Sequence, residues 1–278
     1  MPVVATNTAA NTATRFLNNN TAMASSSVGK LASGSRIVRA SDDAAGLAIA
    51  SRLNADVVAL QQSAINASQG ASMVQVADGG LARIGDVLQR MKALAAASMS
   101  GVPTDNERAF IDAEYGELIN EIDGMAETTR FNGDSLLDGT GTGSVDFFVG
   151  TDTTDVITVD FAALAATAAD FTSTTLDVTT GVDTAVNAAT AMAEVDAAID
   201  LVSEARANAG AFISRFEFRG QQIATSTENI QAAESAISDV DLAAEQAKLV
   251  SSQVLVQAAV SALSQANQIP QSLLRVLQ

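Results

Sequence analysis

Apolar residues recur every seven positions along much of the chain. The series occupy positions 3–38, 53–95, 195–237 and 249–277. A sustained period of seven places one apolar stripe along each helix and favours left-handed packing of several helices. The pattern predicts a mainly α fold, in which long antiparallel helical rods pack as coiled coils that include both chain ends.

Helix boundary signals agree with this period. The run SDD at 41–43 offers an N-cap and acids for a first turn, so we predict a helix over about Ala44–Met99. The sequence SGVPTDNE then interrupts the helix. Thr104 and Glu107 have the spacing of a capping box, which predicts a second helix that ends near Thr128.

The middle of the chain changes in character between about 131 and 181. Two β-forming runs, VDFFVG and DVITVDF, flank the polar sequence TDTT, which predicts a small β-hairpin region. Asp152 and Asp155 lie in this turn, but they lack the ligand spacing and the glycine of an EF-hand loop. We therefore predict a solvated acidic surface here and no metal site.

Charge is sorted along the sequence. Residues 1–41 carry four bases and no acid, and residues 246–278 carry two bases and no acid. All 32 acids and the other nine bases lie between them, although the whole chain has a net charge of −17. So acidic a chain is a poor partner for nucleic acid.

Several functions are excluded by composition. The chain has no histidine and no cysteine, which removes zinc sites, thiol nucleophiles and His-dependent catalytic triads. Its start lacks the basic and apolar regions of a cleavable signal peptide. The charge-free run 249–274 is long enough to span a membrane, but twelve of its residues are Ser, Gln, Asn or Pro, so we predict no membrane span. We expect no catalytic, cofactor or metal site.

The two acid-free ends need apolar partners, because an isolated amphipathic helix is marginally stable in water. The ends could pair within one molecule, and they could also pack against the ends of neighbouring molecules. A two-helix arm leaves apolar surface uncovered, which favours assembly of several copies.

Longer motifs resemble those of bacterial flagellins. The sequence KLASGSRIVRASDDAAGLAIASRL (30–53) is similar to the N-terminal signature of the family, and NEIDGMAETTRFNGDSLLDG (120–139) is similar to the segment before its β-region. The sequences SRFEFRGQQIATSTENIQAAESAISDVDLAAE and ALSQANQIPQSLLRVL resemble the C-terminal half. Together the motifs cover most of residues 1–139 and 190–278, in the family's order.

The resemblance implies a structural subunit of the extracellular flagellar filament, exported unfolded by the type III route. It divides the chain into an N-terminal inner-core helix with its connector (1–42), outer rods with the β-hairpin region (43–180), a returning outer helix (181–238) and a C-terminal inner-core helix (239–278). Its implied partners are many copies of itself, an export chaperone, the filament cap and hook-junction proteins. Only about fifty residues separate the two matched halves, so we expect a short form without large outer domains.

Two sets of site residues are implied. We expect the inner-core assembly seam to contain Leu17, Leu31, Leu249, Val256, Leu263, Leu273 and Leu277. The family segment recognised by a Toll-like receptor resembles LQRMKALAAAS, which assigns Gln89, Arg90 and Leu94 to that surface, together with Glu114 from a second segment. Ala93 stands where an acid is common in the family. Lateral contact within the filament, with seam packing, is the other role open to these residues.

Three alternatives have distinct tests. A hook–filament junction protein shares flagellin-like ends, but would stop after a short ring. A membrane-inserting translocator would make liposomes leak. An enzyme would show an activity that depends on the inserted segment, although this insert is too short for an added domain.

Overall fold

The described residues form five helices and four short strands. The structure is a computed structural model, and it describes residues 7–140, 144–161, 164 and 170–276, with the backbone alone for 269–276. In chain order the elements are α1 (Thr8–Ser33), α2 (Ala44–Met99), α3 (Asp105–Thr128), β1 (Arg130–Phe131), β2 (Asp134–Ser135), β3 (Ser144–Phe148), β4 (Val156–Asp160), α4 (Ala185–Ser238) and α5 (Leu242–Val276).

The chain divides into two compact units. Unit 1 comprises Met1–Val57 and Asn229–Gln278, and unit 2 comprises Val58–Glu228. Unit 1 contains seven acids and seven bases, whereas unit 2 contains 25 acids and eight bases. The whole net charge of −17 therefore belongs to unit 2, and unit 1 is neutral. The predicted four-part division refers to the layers of a filament and not to the compact units of a single chain. It therefore stays a prediction.

The predicted helix boundaries coincide with those of α2 and α3. The Glu107 carboxylate accepts hydrogen bonds from the Thr104 backbone N–H at 2.7 Å and from its hydroxyl at 2.9 Å. These bonds hold the pKa of Glu107 below its usual range, the backbone bond having the larger effect. The corner before α3 is held by Arg108, whose guanidinium donates to the carbonyl oxygens of Ser98 and Pro103.

Unit 1 is organised by the pairing of α1 with α5. The two helices run antiparallel, since Asn7 contacts Ala266 at one end and Ser27 contacts Glu245 at the other. Gly34 ends α1 in the left-handed conformation, with φ 73°, which a residue without Cβ adopts at low cost. The chain beside this cap bonds to the end of α4, where the Arg36 N–H donates to the Ser238 carbonyl at 2.7 Å.

Unit 2 has a core built from α2, α3 and α4. Ion pairs Lys92–Asp196 and Arg206–Asp78 show that α2 and α4 are antiparallel. The buried residues of each helix recur at steps of three, four or seven, as the coiled-coil pattern requires. They include Leu60, Ala67, Val74, Leu81, Leu88 and Ala95 of α2, Tyr115 and Ile122 of α3, and Val195, Val202, Ala209, Phe216 and Ile223 of α4.

The predicted hairpin is present as β3 and β4, paired antiparallel with Val145 opposite Val159. It packs on the helices of unit 2 through hydrogen bonds from Ser63 to the Gly150 carbonyl, 2.8 Å, and from Asn66 to the Phe148 carbonyl, 3.0 Å. The mainly α fold with long antiparallel coiled-coil helices and a small β-hairpin region is thus confirmed.

An aromatic contact also holds this hairpin, and it depends on a glycine. The rings of Phe147 and Phe216 meet edge to face, with centroids 5.3 Å apart. A Cβ built on Gly70 of α2 would lie 2.6 Å from the Phe216 ring, which is too close for any side chain. Gly70 therefore makes room for the aromatic pair.

We predict that Gly70→Ala lowers the free energy of unfolding by about 1–3 kcal/mol, because the rings must move out of a packed core. Gly79→Ala is the matched control, since a Cβ on this α2 glycine meets nothing within 4 Å. It should raise stability by up to about 1 kcal/mol through helix propensity alone. Thermal unfolding of both variants checks this, and equal effects would contradict the role of Gly70.

The sequence did not predict two features of unit 2. One is a second hairpin, whose two strands have two residues each, and the other is the attachment of segment 170–182. β1 and β2 are joined by Asn132 and Gly133, both with positive φ, of 54° and 97°. The following segment is tied to α3 by two carboxylates. Asp123 accepts from the Ser173 N–H at 2.7 Å, and Asp112 accepts from the Val182 N–H at 2.7 Å.

Candidate assembly surface

The contact between α1 and α5 follows a regular seam. Alternate steps of three and four residues on each helix are covered by the partner helix, as in an antiparallel coiled coil. The covered positions are Ala10, Ala13, Leu17, Asn20, Ala24, Ser27 and Leu31 on α1, and Glu245, Leu249, Ser252, Val256, Ala259, Leu263 and Ala266 on α5.

Five of the seven predicted seam residues have described side chains. Leu249 is 9% exposed, and Leu17, Leu31, Val256 and Leu263 are half-buried along the same contact. Leu273 lies in α5 where the backbone alone is described, and Leu277 lies outside the described residues. Their role in assembly stays a prediction.

Polar residues occupy many of the remaining seam positions. The Ser27 hydroxyl donates to Glu245 Oε1 at 2.6 Å, and Lys248 Nζ donates to Oε2 at 3.1 Å. Both Ser27 and Glu245 are buried. A buried carboxylate with specific donors favours one alignment of two helices over its neighbours, because a shift along the seam would leave it unpaired.

We predict an acid-labile α1–α5 contact. The Ser27 hydrogen bond, with Lys248 and Lys30 nearby, holds the pKa of Glu245 below its ordinary value. The stabilisation is therefore complete above the unfolded-state pKa, at about 4.3, and is lost as pH falls through the lower folded-state pKa. Amide hydrogen exchange in α5, corrected for intrinsic rates, should show protection falling in that acid range. Glu245→Gln should remove this pH dependence, and an unchanged acid response in that variant would contradict it.

Apolar side chains outside the seam are exposed on both helices. They are Phe16, Met23 and Val28 of α1, and Leu242, Val250, Val254, Leu255 and Val260 of α5, which we call the exposed apolar set. Val254 is two residues from Ser252 and two from Val256, so helix geometry places it opposite the seam. So many exposed large apolar residues on two helices indicate a surface that other molecules cover.

α5 is also the one helix among the described residues that is long and apolar enough to cross a membrane, by length and composition alone. The stretch concerned is Leu242–Gln268, and 11% of its apolar window is buried. Length and composition fit a helix that packs against other helices equally well.

The second predicted surface lies on α2 and α3. Arg90 Nε donates to Glu114 Oε1 at 2.8 Å, so these two residues form an ion pair between the helices. Gln89 is exposed beside them. Leu94 is only 7% exposed, and its side chain belongs to the packing of unit 2, so it adds little to the surface itself.

The described residues offer no metal-binding chemistry. No group of three or more carboxylates is placed to hold a metal ion among residues 7–140, 144–161, 164 and 170–276. Asp155 instead binds Arg219 and the N–H groups of Thr151 and Asp152, and Asp152 accepts from the Thr154 N–H at 3.1 Å. Both carboxylates therefore shape the turn of the β3–β4 hairpin.

The structure thus combines a pair of end helices, which carry a net charge of +3 and expose apolar residues, with an acidic helical unit. Exposed apolar faces of this kind are typical of a structural protein that packs against other subunits. Comparison with known proteins specifies the class further. Residues 4–142 match the bacterial flagellin N-terminal helical region, and residues 192–277 match the bacterial flagellin C-terminal helical region. The chain belongs to the bacterial flagellin family.

Two relatives agree with this family assignment. The chain is 37% identical to a flagellin of Halalkalibacterium halodurans over 89% of each chain. It is 34% identical to the flagellar filament 33 kDa core protein of Treponema phagedenis, over 95% of this chain and 96% of that one. Among solved structures it is similar to Bacillus cereus flagellin, with 26% identity, a TM-score of 0.49, and coverage of 61% of this chain and 94% of that one.

Family membership fixes the general role. Flagellins are structural proteins of the bacterial flagellar filament, which lies outside the cell, and this chain is such a subunit. Family membership does not by itself establish contacts with a Toll-like receptor, an export chaperone, the filament cap or hook-junction proteins.

Proposed function

We propose that this chain self-assembles into the helical flagellar filament that drives swimming, with the α1–α5 pair in the inner layer. The observation that carries the proposal is the exposed apolar set on α1 and α5, eight large side chains that the described part of the chain leaves in contact with water. Neighbouring copies bring the same helices and can cover them.

The free energy of burying the exposed apolar set is large enough to support assembly. At about 25 cal/mol per Å² of apolar area, completing the burial of eight half-exposed side chains contributes on the order of 10 kcal/mol per subunit. The ordering of each subunit opposes part of this gain. The remainder is distributed over a repeating interface, where each added copy makes the same contacts.

The charge distribution supports the same arrangement. Unit 1 is neutral overall and the α1–α5 pair within it carries +3, so copies of unit 1 can approach closely with little net repulsion. Unit 2 carries −17, and its mutual repulsion is weakened at distances beyond about 10 Å in 0.1 M salt. Inner contacts through unit 1 leave most acidic residues facing the solvent, so that unit 2 meets its neighbours where a base of one copy can pair with an acid of the next.

The remaining expectations derive from the family. We propose export of the unfolded chain by the type III route, with an export chaperone before assembly and with the cap and hook-junction proteins at the filament ends. The exposed Gln89 and the Arg90–Glu114 pair form the surface proposed for lateral contact. A Toll-like receptor would use the same surface of the free subunit.

Growth from seeds tests the proposal. Purified chain added to short filament fragments should elongate them into filaments of micrometre length in electron micrographs. A hook–filament junction protein would stop at a short ring, and no observation favours that alternative. Protein that stays monomeric in the presence of seeds would refute self-assembly.

A further inference from the structure

One cation of unit 2 stands apart from the others. Seven of the eight bases in this unit form an ion pair with a carboxylate of the same chain, and all charged residues of the unit are described. Arg215 of α4 is the exception, since no described carboxylate lies within 4.0 Å of its guanidinium. In a unit with 25 acids, an exposed and unpaired arginine is unusual.

Arg215 lies in a groove between α4 and β4. The groove has a volume of about 400 Å³ and is lined by Val156, Ile157, Arg215, Phe218, Arg219 and Gln222. Counted from Arg215, the other three α4 residues lie three, four and seven positions further along, so all four share one helix face. We call this site the α4–β4 groove.

The most exposed aromatic side chain of α4 is in this groove. Phe218 is 71% exposed, and it lies one helical turn from both Arg215 and Gln222. Arg219 is partly neutralised, because its guanidinium donates to Asp155 Oδ1 at 3.1 Å. The groove thus combines an unpaired cation with an uncovered aromatic ring on a molecule that is otherwise acidic.

We propose that the α4–β4 groove binds an acidic segment of a second copy of this chain, with a carboxylate paired to Arg215 and its aliphatic part on Phe218. Charge complementarity selects this occupant, since unit 2 of a neighbouring copy carries 17 more acids than bases. The proposal rests on the proposed self-assembly and assigns one of its contacts. The α4–β4 groove is open in the free subunit. The pairing forms only on assembly, because its carboxylate comes from a second copy.

Charge reversal tests the contact. Arg215→Glu should raise the critical concentration for seeded elongation by about tenfold at low salt, because an attraction becomes a repulsion. At about 0.5 M salt the difference should shrink, since screening then acts within a few ångströms. Arg215→Lys should remain close to the parent chain.

Arg83→Glu is the matched control. It makes the same change in net charge within unit 2, and the Arg83 side chain is 77% exposed and paired only with Asp86 on its own helix. It should change the critical concentration by less than about twofold. Equal impairment by Arg83→Glu and Arg215→Glu would reduce the effect to net charge and overturn the proposal.

Cross-linking identifies the occupant and does not depend on the assembly yield. A photoreactive benzoylphenylalanine in place of Phe218 should link to a second copy at an Asp- or Glu-containing peptide, in filaments and not in monomers. Links confined to the same copy, or to a peptide without acids, would overturn the proposal.

If the parent chain fails to elongate seeds, self-assembly itself fails. If it elongates and Arg215→Glu elongates equally well at low salt, only the groove contact fails.

Discussion

Deleting residues 247–278 should abolish filament growth completely. The deletion removes most of α5, including Leu249 and the rest of the seam beyond it, together with four members of the exposed apolar set. α1 then loses the helix on which it packs, and a single amphipathic helix of this length is marginal in water. No repeating inner contact remains.

The same deletion should leave unit 2 folded. Its core residues, the β3–β4 hairpin and the Asp112 and Asp123 contacts all lie within Val58–Glu228. Circular dichroism should still show strongly helical protein, and ultracentrifugation should show no polymer. When mixed with the intact chain, the shortened chain should stay in the supernatant. Filaments of normal length from the shortened chain alone would contradict the account.

Val254→Asp should block assembly without unfolding the subunit. Val254 is 62% exposed and lies opposite the seam, so a carboxylate there is hydrated in the free molecule. In the filament it would become a buried, unpaired charge at a cost of several kcal/mol. The critical concentration should therefore rise by about 100-fold or more. Val254→Leu keeps an apolar side chain and should assemble like the parent.

A seam variant gives the complementary result. Leu249→Asp places the charge in the α1–α5 contact, so the free subunit itself should lose about 3–5 kcal/mol of stability in unit 1. Thermal unfolding of the monomer separates the two variants, because Val254→Asp should leave it unchanged. If both variants destabilise the monomer equally, Val254 packs within the molecule and the proposed intermolecular role is wrong.

The long helices were predictable because their signals are local. The start of α2 follows an acidic N-cap sequence, the corner after it contains Pro103, and Glu107 caps α3, so both boundaries could be placed from neighbouring residues. The apolar period of seven also placed the core of unit 2 correctly. Periodicity is a dependable guide where every seam position is apolar.

The polar part of the α1–α5 seam escaped the sequence pattern. Asn20, Ser27, Glu245 and Ser252 are buried, yet by residue type they are typical of a solvated face. Only the position of the opposite helix shows that Ser27 meets Glu245, 218 residues later. A search for the alternating steps of three and four, without regard to polarity, could have suggested them.

Other features depended on contacts between distant segments. The β1–β2 turn is different, since its Asn-Gly pair is a local signal that is typical of two-residue hairpin turns. The attachment of segment 170–182 had none, because an Asp on an exposed-looking helix gives no sign that a loop will bond to it. The burial of Tyr115 also depends on packing between helices. Its side chain is fully buried in α3, and this burial raises its pKa to about 12.

The most direct measurement of the central claim is thiol accessibility at position 254. The chain has no cysteine, so Val254→Cys supplies a single thiol, and Val102→Cys, at an exposed site in the α2–α3 corner, supplies a control. Both thiols should react with a maleimide in the monomer. In sedimented filaments the account predicts that position 254 is protected while position 102 still reacts. Equal reactivity of position 254 in monomer and filament would contradict the claim that copies of this chain cover one another through α5.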